Sequence, residues 1–437
     1  MASTPDQVLP TPMPARTERQ LELHMDGVSP SSVWQRMQAW WWPSTEAPLY
    51  DRLLVCVSLA LVAFGLVMVS SASFPVADRL TGEPFYFILR HCAYLVVMFA
   101  VVCVVVQIPM QMWHRYSGVL LLAAIGLLVA VLLVGHTVNG AKRWLKLGPL
   151  TLQAAEVAKL CFFTYMASYL VRRFEEVREN LKGFLKPLLV LFTIAILLLA
   201  QPDLGTVVVM SATVVGMLFL AGARLWQFFA VLVTCSAAVV FLIMFEEYRM
   251  RRILSFWDPW ADPFGSGYQL TQSLMAFGRG QIDGQGLGNS IQKLQYLPEA
   301  HTDFIMAVVG EELGFIGMAA VLGLFLLLVW RTMLLGRRAL QAGQAFNGFL
   351  SFGIAIWFSF QAMVNIGAAA GLLPTKGLTL PLVSYGGTSI LVSGVAIAML
   401  LRIDYELRLA ALKVTPSYGT HKHKAASSRA AKAGGAA

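Results

Sequence analysis

Long apolar runs separated by short polar breaks dominate the chain, and these runs carry the structural prediction. Ten of them approach the roughly 20 residues that a helix needs to cross a hydrocarbon core. They span 53–73, 85–108, 118–135, 152–171, 184–200, 204–222, 225–245, 304–330, 347–373 and 380–401. The pattern predicts an all-α polytopic membrane protein of ten transmembrane helices, with a large extracytoplasmic loop between helices 7 and 8. The fifth run carries Lys186 and Pro187, and the eighth and ninth are broken by polar residues and glycines.

Composition excludes the main alternatives. Of 437 residues, 57% are hydrophobic and 13% are charged, and mean hydropathy is +0.66. That is more apolar surface than a soluble domain of this size buries. The formal charge of +9 is not gathered on a folded polar domain, so nucleic acid is not an expected partner. The first thirty residues lack the apolar core of a cleaved signal, which leaves targeting to the first span. Cys56, Cys92, Cys103, Cys161 and Cys235 all lie in apolar runs, where they read as small hydrophobes and not as disulfide partners or zinc ligands.

An even number of spans places both termini on one side of the cytoplasmic membrane. With the termini inside, the inner segments hold about twice as many Lys and Arg as the outer ones, as the positive-inside rule requires. Three regions follow. Residues 1–50 are a flexible cytoplasmic tail in which Trp34, Met37, Trp40, Trp41 and Trp42 suit an interfacial helix. Residues 51–406 form the membrane domain, and residues 407–437 form a disordered basic cytoplasmic tail. The outer bases are an anomaly, because Lys142, Arg143, Lys146, Arg249, Arg251, Arg252 and Lys376 occupy loops that should be depleted of them. They point to an anionic ligand; solvation of the loop surface is the plainer alternative.

The longest loop, 246–303, interleaves Tyr248, Phe256, Trp257, Trp260, Tyr268 and Tyr296 with charges and glycines. Residues 270–277 within it suit a short amphipathic helix lying on the outer leaflet. Its glycines do not form a nucleotide-binding fingerprint: Asp283 stands at the third glycine position counted from Gly278, and no strand precedes it.

Polar groups in or against a membrane need a reason. Glu156 and Lys159 share one helical face at i, i+3, as either a buried ion pair or the lining of a cavity for a substrate headgroup. Asp203, in Gln201-Pro202-Asp203-Leu204-Gly205, stands where it would cap a helix. His301-Thr302-Asp303 marks the return of the long loop to the membrane, with Glu311 and Glu312 about two turns further on. Pro374-Thr375-Lys376-Gly377 and Ser384-Tyr385-Gly386-Gly387-Thr388-Ser389 flank Pro381. An outer carboxylate at Asp303 beside Arg249, Arg251, Arg252 and Lys376 suits transfer from a lipid diphosphate. The carboxylate would deprotonate an attacking hydroxyl while cations stabilise the departing diphosphate.

Several segments are long enough to be distinctive: Asn139-Gly140-Ala141-Lys142-Arg143-Trp144, Gln201-Pro202-Asp203-Leu204-Gly205-Thr206, Leu297-Pro298-Glu299-Ala300-His301-Thr302-Asp303-Phe304-Ile305, Gly310-Glu311-Glu312-Leu313-Gly314 and Lys376-Gly377-Leu378-Thr379-Leu380-Pro381. In order across 51–406, they resemble the SEDS family (shape, elongation, division and sporulation). The residues around Ala300 and the long N-terminal extension are more similar to its division branch than to its elongation branch, which tends to have Arg where Ala300 stands. The resemblance implies a ten-span inner-membrane peptidoglycan glycosyltransferase that polymerises lipid II, releases undecaprenyl diphosphate and works at the division septum.

By the same resemblance Asp303 is the essential outer-loop aspartate, and Glu156, Lys159, Arg143, Trp144 and Lys376 are site residues. Asp203, Arg249, Arg252, His301 and Ser384 complete the expected substrate contacts. One departure is Gln153-Ala154-Ala155-Glu156, where the family commonly has Gln-Pro-x-Glu; it affects the local entry into the helix and leaves Glu156 in place. The resemblance also implies dependence on Mg or Mn, for which His301 and Asp303 are the only legible donors. No organic cofactor is expected. The implied partners are undecaprenyl-linked glycan, a class B penicillin-binding protein transpeptidase and other division-complex membrane proteins. Two rival readings stay open: a lipid II flippase, which the buried Glu156, Lys159 and Asp203 would suit, and a scaffold of the division complex. Concentration of the carboxylate and bases at one face favours the enzyme.

Overall fold

A computed structural model describes residues 50–138, 141–148, 150–245, 250, 254–374 and 377–414. The expected N-terminal tail up to residue 49 and the C-terminal tail from residue 415 lie outside these residues, as do Arg249, Arg251, Arg252 and Lys376. Residues 407–414, expected to be disordered, instead continue the last helix. The described chain is mostly helical: α1 (Arg52–Thr81), α2 (Tyr86–Val105), α3 (Met110–Val134), α4 (Ala154–Arg172), α5 (Phe174–Glu179), α6 (Leu181–Leu199), α7 (Leu204–Leu220), α8 (Leu225–Met244), α9 (Tyr268–Gly280), α10 (Ile305–Gln341), α11 (Ala345–Ala369) and α12 (Gly387–Val414). Each of the ten apolar runs falls on one of these helices. Seven, namely α1 to α4, α6, α10 and α11, are long and apolar enough to cross a membrane, and α7 is a shorter apolar helix.

Local chemistry fixes the helix ends. The Asp51 carboxylate accepts from the amides of Leu53 (3.0 Å) and Leu54 (3.3 Å), capping α1, and pairs with Arg331 of α10. Gly82 closes α1 at φ 71°, a conformation that glycine adopts without a Cβ penalty. Glu406 of α12 accepts from the Met110 amide (3.0 Å) and from Arg402 (2.8 Å), tying the end of α12 to the α2–α3 turn. The most enclosed span is α4, 78% buried along its apolar window, because Ala154, Ala155 and Ala158 let its neighbours approach closely. Against α2, a Cβ added at Gly387 would fall 2.3 Å from the Tyr94 ring, so only glycine fits there.

Three expectations need correction. The fold is not wholly α: β1 (His136–Val138), β2 (Ala141–Leu147) and β3 (Leu150–Gln153) form an antiparallel sheet of order β1-β2-β3 between α3 and α4. Val138 pairs with Ala141, and the two intervening residues in sequence, Asn139-Gly140, are the pair that short hairpins favour. The expected fourth run therefore starts as strand, and α4 begins only at Ala154. The last helix begins at Gly387, not at 380, since 377–386 is irregular and Leu382 stands at φ 63°. Finally, α9 forms where an amphipathic helix was predicted, but its buried face docks on the protein. The Ser273 hydroxyl donates to the Ala369 carbonyl (2.7 Å), and Gly280 lies directly against the Gly310 backbone.

Candidate functional site

Asp303 closes a tight turn at the foot of α10. The amides of Thr302, Asp303 and Phe304 all point at the Glu299 carbonyl, at 3.1, 3.2 and 3.3 Å, with Glu299 itself at φ 56°. The His301 ring packs between Phe87 (5.1 Å between centroids) and Tyr385 (5.4 Å), and its carbonyl accepts from the Tyr385 amide (3.0 Å). Burial pushes the His301 imidazole below its usual range, opposed by the charge of Glu299. His301 is thus a wedge that sets the turn. The Asp303 side chain stays half-buried, and a Cβ added at Gly377 would meet its Oδ2 at 3.1 Å. Lys376 directly precedes that glycine in the chain.

A polar ladder on α11 holds this corner. The Asn365 amide nitrogen donates to the carbonyls of Asp303 (2.9 Å) and Leu378 (2.6 Å), sewing the turn to the segment before α12. One helical turn away, Gln361 donates to the Thr379 carbonyl (2.8 Å). Its Oε1 accepts from the Trp357 indole (2.7 Å) and from Lys159 (2.8 Å). Lys159, fully buried, pairs with Glu156 at 2.8 Å and sits 5.2 Å from the centre of the Trp357 ring. Glu156 and Lys159 therefore form an ion pair on one face of α4, as their spacing predicted. The pair also belongs to a chain of contacts that ends at Asp303.

The remaining expected residues surround this corner. Ser384 is buried, and its oxygen accepts from the Leu380 amide (2.9 Å). Thr388 accepts from the Gln153 amide (2.9 Å) and donates to the Thr151 carbonyl (3.0 Å), joining the sheet to α12. Asp203 caps α7 through the Thr206 amide (3.1 Å) and hydroxyl (2.8 Å), and Gly205 packs against Leu378. Arg143, on β2, donates to the carbonyls of Gln201 (3.0 Å) and Pro202 (2.5 Å), clamping the sheet onto the α6–α7 turn. Trp144 is half-buried and pairs across the strands with Gln153. Asp303, His301 and, through Gln361, the Glu156–Lys159 pair are thus tied to the segment 377–388, which contains Ser384. Arg143 and Asp203 meet at the α6–α7 turn, next to Gly205, which packs on that segment. Arg249, Arg252 and Lys376 lie outside the described residues.

Glu311 and Glu312 serve a different purpose. At Gly314 (φ 65°) α10 breaks, and the loop after α9 supplies the missing hydrogen bonds. The amides of Gln285 and Gly286 reach the carbonyls of Glu311 and Glu312 (both 2.9 Å), while the amides of Phe315 (2.9 Å) and Ile316 (3.3 Å) donate to Gln281 and Ile282. These four bonds replace helical ones interrupted at the break, which is what permits a kink at this depth. The carboxylate of Glu311 pairs with Arg279 (2.7 Å), and that of Glu312 with the buried Lys293 (2.7 Å) and Ser71 (2.8 Å). These contacts anchor the loop that leads to Asp303.

Sequence reading missed Trp357, Gln361 and Asn365, and it noted Gly377 only within the motifs at 374–377 and 376–381 without giving it a role of its own. The available signal was the four-residue spacing of Trp357, Gln361 and Asn365 inside an apolar run, where a shared polar face should have stood out. Among the described residues no three His, Cys, Asp or Glu side chains converge as a metal cage, and the His301 ring is committed to an aromatic wedge. A Mg or Mn ion bound with a substrate diphosphate takes most of its ligands from phosphate and water and needs only one or two protein donors, so the expected ion does not depend on such a cage.

Comparison with known proteins identifies the family. A family model described as "Cell cycle protein", covering FtsW, RodA and SpoVE, matches residues 51–409. The chain is 60% identical over 402 residues to a probable peptidoglycan glycosyltransferase FtsW of Idiomarina loihiensis, covering 92% of this chain and 98% of that one. It is 58% identical over 361 residues to a probable peptidoglycan glycosyltransferase FtsW of Escherichia coli O6:H1, covering 83% and 87%. Among solved structures it is similar to a chain from a work on the coordination of polymerization and crosslinking by a peptidoglycan synthase complex. There the TM-score is 0.67 at 28% identity, over 82% of this chain and 98% of that one. The rod shape determining protein RodA of Thermus thermophilus gives a TM-score of 0.61 at 27% identity, over 81% and 96%. Matched by the family model along nearly all of its membrane domain and by near full-length relatives, the chain belongs to the FtsW/RodA/SpoVE family of cell cycle proteins.

Proposed function

We propose that this chain is a peptidoglycan glycosyltransferase that polymerises lipid II into glycan strands during cell division. The observation that carries the reading is the Asp303 carboxylate, half-buried at the foot of α10 and fixed through its own backbone by Glu299 and Asn365. The names of the relatives, probable peptidoglycan glycosyltransferases, support the same activity.

In this mechanism Asp303 takes the proton from the 4-hydroxyl of the N-acetylglucosamine of an acceptor lipid II. The oxygen attacks the anomeric carbon of the N-acetylmuramic acid at the reducing end of the growing strand, from the face opposite the diphosphate. The bond to the diphosphate breaks, an α linkage becomes a β-1,4 linkage, and undecaprenyl diphosphate leaves. A half-buried carboxylate suits a base, since partial exclusion of water strengthens its interaction with the hydroxyl proton. Arg249, Arg252, Lys376 and Arg143 are the cations proposed to stabilise charge on the diphosphates. Of these, Arg143 already stands at the α6–α7 turn beside the corner.

The ten helices on the apolar runs are proposed to cross the inner membrane with both termini in the cytoplasm, placing the Asp303 corner outside. The chemistry gathers at one end of the bundle, where Phe87 at the start of α2 packs on His301. That distribution suits transfer at a surface better than a flippase path through the midplane. A single-span class B penicillin-binding protein is the proposed partner at the septum, where polymerisation and crosslinking would be coupled. The test reconstitutes purified protein, with and without that partner, on lipid II and separates the products on a gel. Asp303→Asn should lose roughly 10²- to 10⁴-fold in polymer formation, the usual weight of a general base. Equal polymerisation by parent and variant would remove the assignment.

A further inference from the structure

The ladder Trp357, Gln361, Asn365 on α11 has no place in the proton transfer itself, yet all three are almost fully buried and point one way. Gln361 and Asn365 are each 1% exposed and Trp357 0%. A buried amide is costly unless its hydrogen bonds are made, and here the side-chain nitrogens of both residues reach main-chain carbonyls. The Gln361 oxygen accepts from two side chains, while the buried Asn365 oxygen has no partner. Both amide hydrogens of Asn365 are spent on the carbonyls of Asp303 and Leu378. That bridge joins Asp303, 62 residues before Asn365 in the chain, to Leu378, 13 residues after it. Gln361 is unambiguous in orientation, because two donors, Lys159 and Trp357, face its oxygen and a carbonyl, Thr379, faces its nitrogen.

We infer that Gln361 and Asn365 are positioning residues. They transmit the placement of the buried Glu156–Lys159 pair to the Asp303 carboxylate through the backbone of 378–379 and of Asp303 itself. The inference rests on the reading of Asp303 as the base and adds residues that never touch substrate. Gly377 shows why fractions of an ångström matter: its Cα leaves the carboxylate oxygen just enough space, so a shift of 377–380 relative to the turn changes where the base points. Misplacement of a reacting group by about 1 Å can cost about 100-fold in rate.

The experiment uses the full chain with its transpeptidase partner on lipid II and measures kcat and KM for Asn365→Ala, Gln361→Glu, Gln361→Met and Asp303→Asn. Folded yield by size exclusion is measured in parallel. The inference predicts a fall in kcat of roughly 10- to 100-fold for Asn365→Ala per folded molecule, with KM within about threefold of parent. Gln361→Glu, which keeps the acceptor for Lys159 and Trp357 and loses only the donor to Thr379, should retain more activity than Gln361→Met, which keeps none of the three bonds. A second readout attaches a membrane-impermeant maleimide to Thr302→Cys, and its labelling rate should rise when Asn365→Ala is added. Parent-like kcat in Asn365→Ala, or a loss confined to KM or to folded yield, overturns the inference. Should Asn365→Ala fail to fold, the order of the two Gln361 variants decides, and equal activity in both is the negative result. If Asp303→Asn polymerises like the parent, the base assignment itself fails. If Asp303→Asn is inactive and Asn365→Ala is not, only the positioning role fails.

Discussion

Replacing Lys159 by Met tests the buried pair most sharply. The ammonium is fully buried, 2.8 Å from both Glu156 Oε1 and Gln361 Oε1. The other Glu156 oxygen, also buried, has no hydrogen-bond partner, so no second group stands ready to take over the charge. Removing one member of a buried ion pair costs about 3–5 kcal/mol, because the surviving charge is left uncompensated. At about 2 °C per kcal/mol, the low end of the scaling for large domains, the fall in melting temperature is roughly 6–10 °C. Removing both charges in Lys159→Met/Glu156→Gln should recover most of that loss, since a buried pair adds little net stability over a neutral one. Polymerisation should not recover with it, because Gln361 still lacks its lysine donor. Scanning fluorimetry of purified parent, both single variants and the double variant gives the coupling. A single variant that melts with the parent, or a double variant no more stable than Lys159→Met, refutes the reasoning.

Three further outcomes follow from the geometry. Gly377→Ala places a methyl group 3.1 Å from Asp303 Oδ2 and should lower the rate of glycan synthesis several-fold with little change in melting temperature; unaltered turnover would show that the contact is slack. Glu312→Gln leaves Lys293, 6% exposed, without its counter-charge at a cost of about 3–5 kcal/mol, and limited proteolysis should then cut 281–297 faster than in the parent. Burial lowers the folded pKa of His301 below its ordinary 6.5, so the unfolded chain takes up the proton first. Its destabilising contribution is therefore absent at neutral pH and grows as pH falls through about 6.5 toward the folded value. His301→Gln should flatten the acid side of the melting curve, and an unchanged pH slope would contradict the burial argument.

Much of the architecture could be read from the chain because membrane helices announce themselves by length. All ten apolar runs fall on helices, and Glu156 and Lys159 meet as an i, i+3 pair should. Asp203 caps α7 as predicted. What escaped was set by tertiary contacts. The sheet at 136–153 carries Lys142, Arg143 and Lys146, so its short alternation read as a basic loop between apolar runs. Glu311 and Glu312 were recognised as a motif, but their role depends on a break in α10 that the loop after α9 completes. Asn365 illustrates the limit best: its spacing from Gln361 marks a polar face, but only folding brings Asp303 and Leu378 to its amide.

The most direct test of the central claim is the amount of glycan polymer made from lipid II by purified Asp303→Asn in the presence of the proposed transpeptidase partner. A folded variant that binds lipid II like the parent yet makes essentially no polymer is the predicted result. Polymer formed at the parent rate would contradict the account.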